Sequence, residues 1–232
     1  MTELPYKRIL HHSIENGTVP RYHIKPSTVY EFFNEGSRHI EIPKYQRPYS
    51  WTKQNVIDLL DDIDSLKDNT EGQWFLGPIF VVKHSSGQED IKLLDGQQRT
   101  TTVILIILAL YRQILLYQSD FGDSIEDEEN EALKSDYEIF SNIHQDLSNM
   151  LTVSFQGERK SRFKAEETIE ELLSNHVVDW MKFPNTEDKF DNLLDQFENN
   201  CIRSDSEGIP TASKLKENFK IIIEYIKKRL NN

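Results

Sequence analysis

One run of eight apolar residues, 103–110, constrains the fold of this chain more than any other feature. It forms the centre of residues 100–118, whose pattern predicts a long helix that is apolar around most of its circumference. A helix of that kind is buried on most sides, so the other elements have to pack around it. The run is also far shorter than the roughly 20 apolar residues that a membrane-spanning helix needs. We therefore expect a soluble, intracellular protein built around this helix.

A polar corner precedes the helix and follows a short apolar strand, residues 91–94. This DGQQR corner consists of five residues that are polar or lack a side chain: Asp95, Gly96, Gln97, Gln98 and Arg99. Free backbone N–H groups at a helix start favour an anion. The guanidinium of Arg99 can donate two hydrogen bonds to a phosphate. The carboxylate of Asp95 suits Mg²⁺, bound directly or through water, and the two amides suit a water, a base or a sugar.

An ordinary strand-turn-helix junction stays an open alternative for this corner. In that interpretation Asp95 and one threonine cap the helix and Arg99 is solvated. The corner is not a Walker loop, because the Gly-Lys-Ser/Thr sequence is absent.

A second candidate site is the aromatic-basic segment, residues 42–51. Its prolines confine the backbone, while Tyr45, Tyr49 and Trp51 offer stacking surfaces around Gln46 and Arg47. Aromatic rings interleaved with such polar groups suit a nucleotide base and its phosphates. The alternative is that the rings belong to the core, which we favour for Trp51.

Composition restricts the remaining possibilities. The single cysteine, Cys201, excludes an internal disulfide and fits a reducing cytoplasm. The histidines show no metal-ligand spacing. His84, before the hairpin turn, is expected to be a surface residue, and a base near the site is the alternative. The net charge of −12 is concentrated after residue 118, where 14 basic residues face 25 acidic ones. Phosphate tracking by the whole chain is therefore not expected.

The predicted organisation is a small α+β domain, residues 1–118, an acidic linker, residues 119–131, and a mainly helical region, residues 132–232. Strands are predicted at residues 38–43, 74–82 and 91–94, the last two as a hairpin. Helices are predicted at residues 28–34 with Ser27 as the cap, from Ser50 or Thr52 to Leu66, and at residues 100–118, 131–150, 164–181, 187–200 and 212–230.

Three motifs together resemble one known family in order and spacing: residues 42–47 with Trp51, residues 75–79, and residues 94–101. The chain resembles the domain of unknown function 262, the N-terminal domain of GmrSD-type modification-dependent restriction endonucleases and of SspE-type defence proteins. The match covers residues 25–118 and extends weakly to the last helix. It implies a small mixed sheet with helices, similar to ParB and sulfiredoxin.

The resemblance also implies a function. It makes the corner part of a site that binds and hydrolyses a nucleoside triphosphate, with Mg²⁺, in an anti-phage restriction system. Asp95, Gln97, Gln98 and Arg99 would be catalytic, with Asp95 on the metal; Tyr45, Gln46, Arg47, Gly96, Arg99 and Thr100 would bind the nucleotide. The expected partners are a His-Asn-His nuclease subunit or domain and modified DNA, and a homodimer stays open. Residues 119–232 carry no legible nuclease motif, so DNA cleavage is not expected of this chain.

Two other functions stay open. The chain could be a non-catalytic module that binds DNA or a partner nuclease through its aromatic-basic segment. It could also be a nuclease, as some ParB-like proteins are, although its sequence shows no clustered metal ligands.

Overall fold

The computed structural model describes residues 24–36, 38–43, 45–66, 75–83, 90–122, 131–165, 178, 181 and 211–230. By their contacts, the residues of the chain divide into two units, 1–32 and 33–232. The first helix, α1 (Val29–Asn34), begins in the first unit. There the N–H of Glu31 donates to Thr28 Oγ1 and the N–H of Thr28 donates to the Glu31 carboxylate. This reciprocal pair makes Thr28 the cap, and the expectation of Ser27 was wrong by one residue.

The remaining elements confirm the α+β class. In chain order they are β1 (Ile40–Ile42), α2 (Lys53–Ser65), β2 (Phe80–Lys83), β3 (Ile91–Asp95), α3 (Gln97–Gly122), α4 (Glu131–Leu151), β4 (Thr152–Phe155), β5 (Glu158–Ser161), β6 (Phe163–Ala165) and α5 (Thr211–Leu230).

A mixed sheet has the strand order β2-β3-β1-β6. The predicted hairpin is confirmed, because β2 pairs antiparallel with β3. Strand β1 runs parallel to both its neighbours, with Ile40 opposite Ile91 on one side and Phe163 on the other. Strand β6 lies where a helix was expected to begin at Lys164, so that start was wrong. The separate hairpin of β4 and β5 was not predicted either.

The central helix is α3, which packs against α4 and α5, while α2 packs against α5. Its segment Gln97–Gln118 is long and apolar enough to cross a membrane, with a mean hydropathy of 1.7, but 67% of that window is buried inside the protein. This burial is that of a core helix of a soluble protein. The predicted acidic linker, residues 119–131, overlaps the end of α3, which continues to Gly122, and the start of α4 at Glu131, while residues 123–130 lie outside the described residues. The helices predicted at residues 164–181 and 187–200 also lie outside them beyond residue 165, apart from Val178 and Met181, and the domain boundaries stay a prediction.

A buried arginine joins the β4–β5 hairpin to the start of β1. Arg162 is 3% exposed. Its guanidinium donates to the carbonyl oxygens of Asn149, Thr152, Gly36 and Arg38 at 2.8–3.2 Å. Burial lowers the pKa of Arg162 to about 10, so it stays charged at neutral pH.

The amino-terminal ends of the parallel strands carry a small ionic cluster. Asp90 accepts from the N–H and ring Nδ1 of His39, at 2.9 and 3.1 Å, and from Lys164 Nζ at 3.0 Å. Burial raises the pKa of Asp90, but these donors outweigh it and lower the pKa to about 2. Burial also lowers the pKa of His39, more than Asp90 raises it. The DGQQR corner lies at the other end of β3.

Candidate functional site

The DGQQR corner is tighter than its sequence suggested. Strand β3 ends at Asp95 and α3 begins at Gln97, so Gly96 alone connects them. The predicted helix start at Thr100 was three residues too late. Gly96 has a φ of +91°, and a Cβ there would lie 3.3 Å from Ile79 Cγ1. Because side chains other than hydrogen are strained at that φ, glycine suits this position. The two amides and Arg99 therefore project from the first turn of a helix.

Gln98 links the corner to the aromatic-basic segment. Its Oε1 accepts from the N–H of Ser50 at 2.7 Å, and its Nε2 donates to the carbonyl oxygen of Pro48 at 3.1 Å. The side chain is only 5% exposed. One carboxamide thus satisfies two backbone groups of a segment about fifty residues away, which holds that segment against α3. The visible bonds give Gln98 a positioning role, and an additional catalytic role stays a prediction.

Gln46 makes the reciprocal connection from the segment to β3. Its Nε2 donates to the carbonyl oxygens of Leu94 at 2.9 Å and Leu93 at 3.3 Å. A weaker contact joins Gln97 Nε2 to the carbonyl oxygen of Arg47 at 3.5 Å. The two candidate sites of the sequence are therefore one hydrogen-bonded unit.

The third motif, residues 75–79, contacts Arg99. Arg99 Nη1 donates to the carbonyl oxygen of Leu76 at 3.0 Å. The same nitrogen lies 1.7 Å from the place that a Cβ of Gly77 would occupy. The remaining guanidinium nitrogens make no hydrogen bond with the residues that the structure describes. Arg99 is thus oriented by the carbonyl oxygen of Leu76, and its side chain is partly exposed.

Three charged or aromatic side chains of the predicted site reach solvent: Asp95, Arg47 and Tyr45, the last being 61% exposed. The carboxylate of Asp95 accepts the N–H of Gly96 at 2.7 Å. Thr100, by contrast, is 1% exposed, and its hydroxyl has no hydrogen-bond partner among the residues that the structure describes. Direct contact between Thr100 and a ligand therefore requires the corner to open.

Sequence reasoning missed two groups of residues near the corner. Phe80 lies opposite Asp95 in the β2–β3 ladder and is 52% exposed, and Phe75, which precedes Leu76, is 78% exposed. Buried Asn218 on α5 donates to the hydroxyl of Tyr49 and to the carbonyl oxygen of Trp51. Neither the exposure of the two phenylalanines nor the long-range contacts of Asn218 produce a periodic pattern from which the sequence could have predicted them.

Of the five corner residues, Asp95 is exposed, Arg99 is partly exposed, and Gly96, Gln97 and Gln98 are buried. A cavity of about 480 Å³ lies elsewhere, lined by Tyr111, Arg159 and Met181 among others. Within the described ranges no group of three or more His, Cys, Asp or Glu side chains is arranged to hold a metal ion. Lys44, His84 and Cys201 lie outside those ranges.

A comparison with protein families finds a match that covers most of the chain. The model described as the N-terminal domain of the GmrSD restriction endonuclease matches residues 29–230. That range contains the DGQQR corner, the aromatic-basic segment and α5. No curated protein matches the chain.

Proposed function

Because the chain belongs to the family of GmrSD restriction endonuclease N-terminal domains, and so is a restriction-system module, we propose that it binds a nucleoside triphosphate at the DGQQR corner and hydrolyses it. The observation that carries the proposal is the convergence of three separate motifs on the first turn of α3. Gln98, Gln46 and Arg99 each bridge two of these motifs. A rigid polar corner with two nearby guanidinium groups suits a phosphate chain.

The phosphates would lie at the start of α3, where backbone N–H groups and the helix dipole favour negative charge. Arg99 would donate from the edge that does not contact Leu76, and Arg47 would approach from the facing segment. The exposed ring of Tyr45 offers a stacking surface for the base. Phosphoryl transfer depends mostly on positioning and charge stabilisation, which such groups supply.

Asp95 fits a magnesium ion of the kind that nucleotides carry. Mg²⁺ is commonly held by one or two carboxylates together with phosphate oxygens and water, so a lone exposed carboxylate beside a phosphate site suffices. When bound, the ion would neutralise charge on the phosphates. Gln97 is the amide of the corner with the weaker protein contact, and we assign it the task of orienting the attacking water. Because Gln97 is 5% exposed, this contact also requires the corner to open. We expect the reaction to take place in the cytoplasm, with DNA cleavage left to a nuclease partner.

Calorimetry with the β,γ-imido analogues of ATP, GTP, CTP and UTP in Mg²⁺ tests binding, and phosphate release from the four triphosphates tests turnover. Arg99→Ala should weaken binding about 10- to 100-fold, as expected for a charged hydrogen bond. Asp95→Asn retains the acceptor for the Gly96 N–H but removes the charge, and should reduce the benefit of Mg²⁺. Arg159→Ala, an exposed change on β5, is the control. Absence of binding by the wild type, or unchanged binding by both variants, would refute the proposal.

The exposure of Arg47 and Tyr45 favours a second candidate, a non-catalytic module that binds modified DNA or a partner nuclease. It predicts salt-sensitive DNA binding that Arg47→Ala abolishes and Asp95→Asn leaves unchanged. DNA binding that is insensitive to salt and to Arg47 would exclude it.

A nuclease function ranks last, because the described residues hold no metal cluster. Plasmid that stays intact with Mg²⁺ or Mn²⁺ would rule it out.

A further inference from the structure

A chain of buried hydrogen bonds connects the last helix, α5, to both parts of the proposed site. It begins at Asn218, which is 1% exposed. The Nδ2 of Asn218 donates to the hydroxyl of Tyr49 at 3.2 Å and to the carbonyl oxygen of Trp51 at 2.8 Å. Both hydrogens of this amide are therefore used on the aromatic-basic segment.

The direction of the next bonds follows from the number of hydrogens available. Thr102 Oγ1 donates its one hydrogen to the carbonyl oxygen of Gln98 at 3.0 Å. The contact of 2.9 Å between Tyr49 Oη and Thr102 Oγ1 then requires the tyrosine to be the donor. Asn218 donates to Tyr49, Tyr49 to Thr102, and Thr102 to the backbone of Gln98. Each hydrogen bond in this series is therefore donated in the direction from α5 to the corner.

The side chains that form this series of hydrogen bonds are buried. Tyr49 and Thr102 are each 0% exposed. A buried donor or acceptor that loses its partner has no water to replace it, so the series favours one arrangement of the segment. Helix α5 is itself anchored in the core by Leu215, Phe219 and Ile222, each also 0% exposed. Asn218 thus connects a firmly packed helix to residues 45–51.

We infer that Asn218 is a positioning residue for nucleotide binding: through Tyr49 and Trp51 it holds the aromatic-basic segment, with Arg47 and Tyr45, against the start of α3. The inference rests on the proposed function for its ligand. Its structural part, the placement of the segment, is independent of any nucleotide. Asn218 itself need not touch the ligand, because it acts on the backbone that carries the binding groups.

Two measurements on Asn218→Asp test the inference. The substitution retains the size of the side chain but removes both N–H donors. Hydrogen-deuterium exchange without nucleotide reports on residues 45–52, including the Ser50 N–H that Gln98 accepts. Calorimetry with the β,γ-imido analogues of ATP and GTP and Mg²⁺ reports on binding. Ile222→Val, a core change on the same helix, is the control for a general loss of stability. Tyr49→Phe removes the same hydroxyl contact if Asn218→Asp does not fold.

We expect faster exchange confined to residues 45–52 and about 10-fold weaker nucleotide binding for Asn218→Asp, with neither effect in Ile222→Val. Unchanged exchange in this segment would overturn the inference, whatever happens to binding. Faster exchange with wild-type affinity would also overturn it, because the placement of the segment would then not matter to the ligand. If the wild-type protein binds no nucleotide, the proposed function fails and Asn218 loses its assigned role. Calorimetry on the wild type alone distinguishes this failure from the others.

Discussion

The guanidinium of Arg99 occupies the space in which a side chain at Gly77 would begin, since an ideal Cβ there lies 1.7 Å from Arg99 Nη1. Gly77→Ala should therefore displace Arg99, and its φ of +107° adds backbone strain. We expect a loss of about 1–3 kcal/mol in unfolding free energy, together with weaker nucleotide binding. Gly157 also has a positive φ, +81°, but nothing lies within 4 Å of its Cβ position. Gly157→Ala should thus destabilise without affecting binding, and equal affinity in the two variants would contradict this account.

Two buried glutamines on α3 provide a comparison of satisfied and unsatisfied amides. Gln98→Leu leaves the Ser50 N–H and the Pro48 carbonyl without their partner, so it should cost about 1–3 kcal/mol of stability. Gln113 is also buried, at 6% exposure, but within the described part of the chain its Nε2 has no hydrogen-bond partner. Gln113→Leu should accordingly be neutral or stabilising. Urea unfolding of both variants checks this, and a similar loss in each would show that the Gln98 bonds are not special.

The fold was predictable where a pattern is local. The apolar pattern of α3, the Thr52 cap of α2 and the β2–β3 hairpin all have such signals. Strand β5 is charged and exposed and β6 has three residues, so neither shows a usable alternation. Gln97 and Gln98 were predicted as part of a turn, because their polar side chains interrupt the apolar pattern by which the helix is recognised. In the structure they are buried in its first turn. Their backbone partners lie about fifty positions away, which only the tertiary structure can reveal.

Arg162 should tolerate no conservative replacement. A lysine has one ammonium group and cannot reach all four carbonyl oxygens that the guanidinium contacts. We expect Arg162→Lys to destabilise the protein by about 3 kcal/mol, since charged hydrogen bonds of this kind contribute about 1.5–3 kcal/mol each. Arg159→Lys on the exposed face of β5 should change stability by less than about 0.5 kcal/mol. A midpoint of urea unfolding for Arg162→Lys that equals the wild-type value would refute the prediction.

The Asp90 cluster should make stability depend on acid. Because the folded pKa of about 2 lies below the ordinary value of 3.8, the carboxylate stabilises the fold above pH 4 and loses this effect as the pH falls toward 2. Asp90→Asn should cost about 1–2 kcal/mol at pH 7, and the cost should shrink at pH 3. Asp62→Asn on the exposed side of α2 serves as the control. A cost that is the same at both pH values would show that Asp90 does not act through its charge.

Strand β6 has a consequence for the order of folding. The strand pairs with β1, and Arg162 beside it bonds to the carbonyl oxygen of Arg38 across 124 positions of the chain. Because contacts between residues far apart in the chain slow folding, we expect β6 to join the sheet late. During synthesis β1 lacks its β6 neighbour, and its hydrogen-bonding edge on that side is unpaired, until the ribosome has released residues 163–165. The nascent chain therefore passes through a stage in which this edge can pair with other chains.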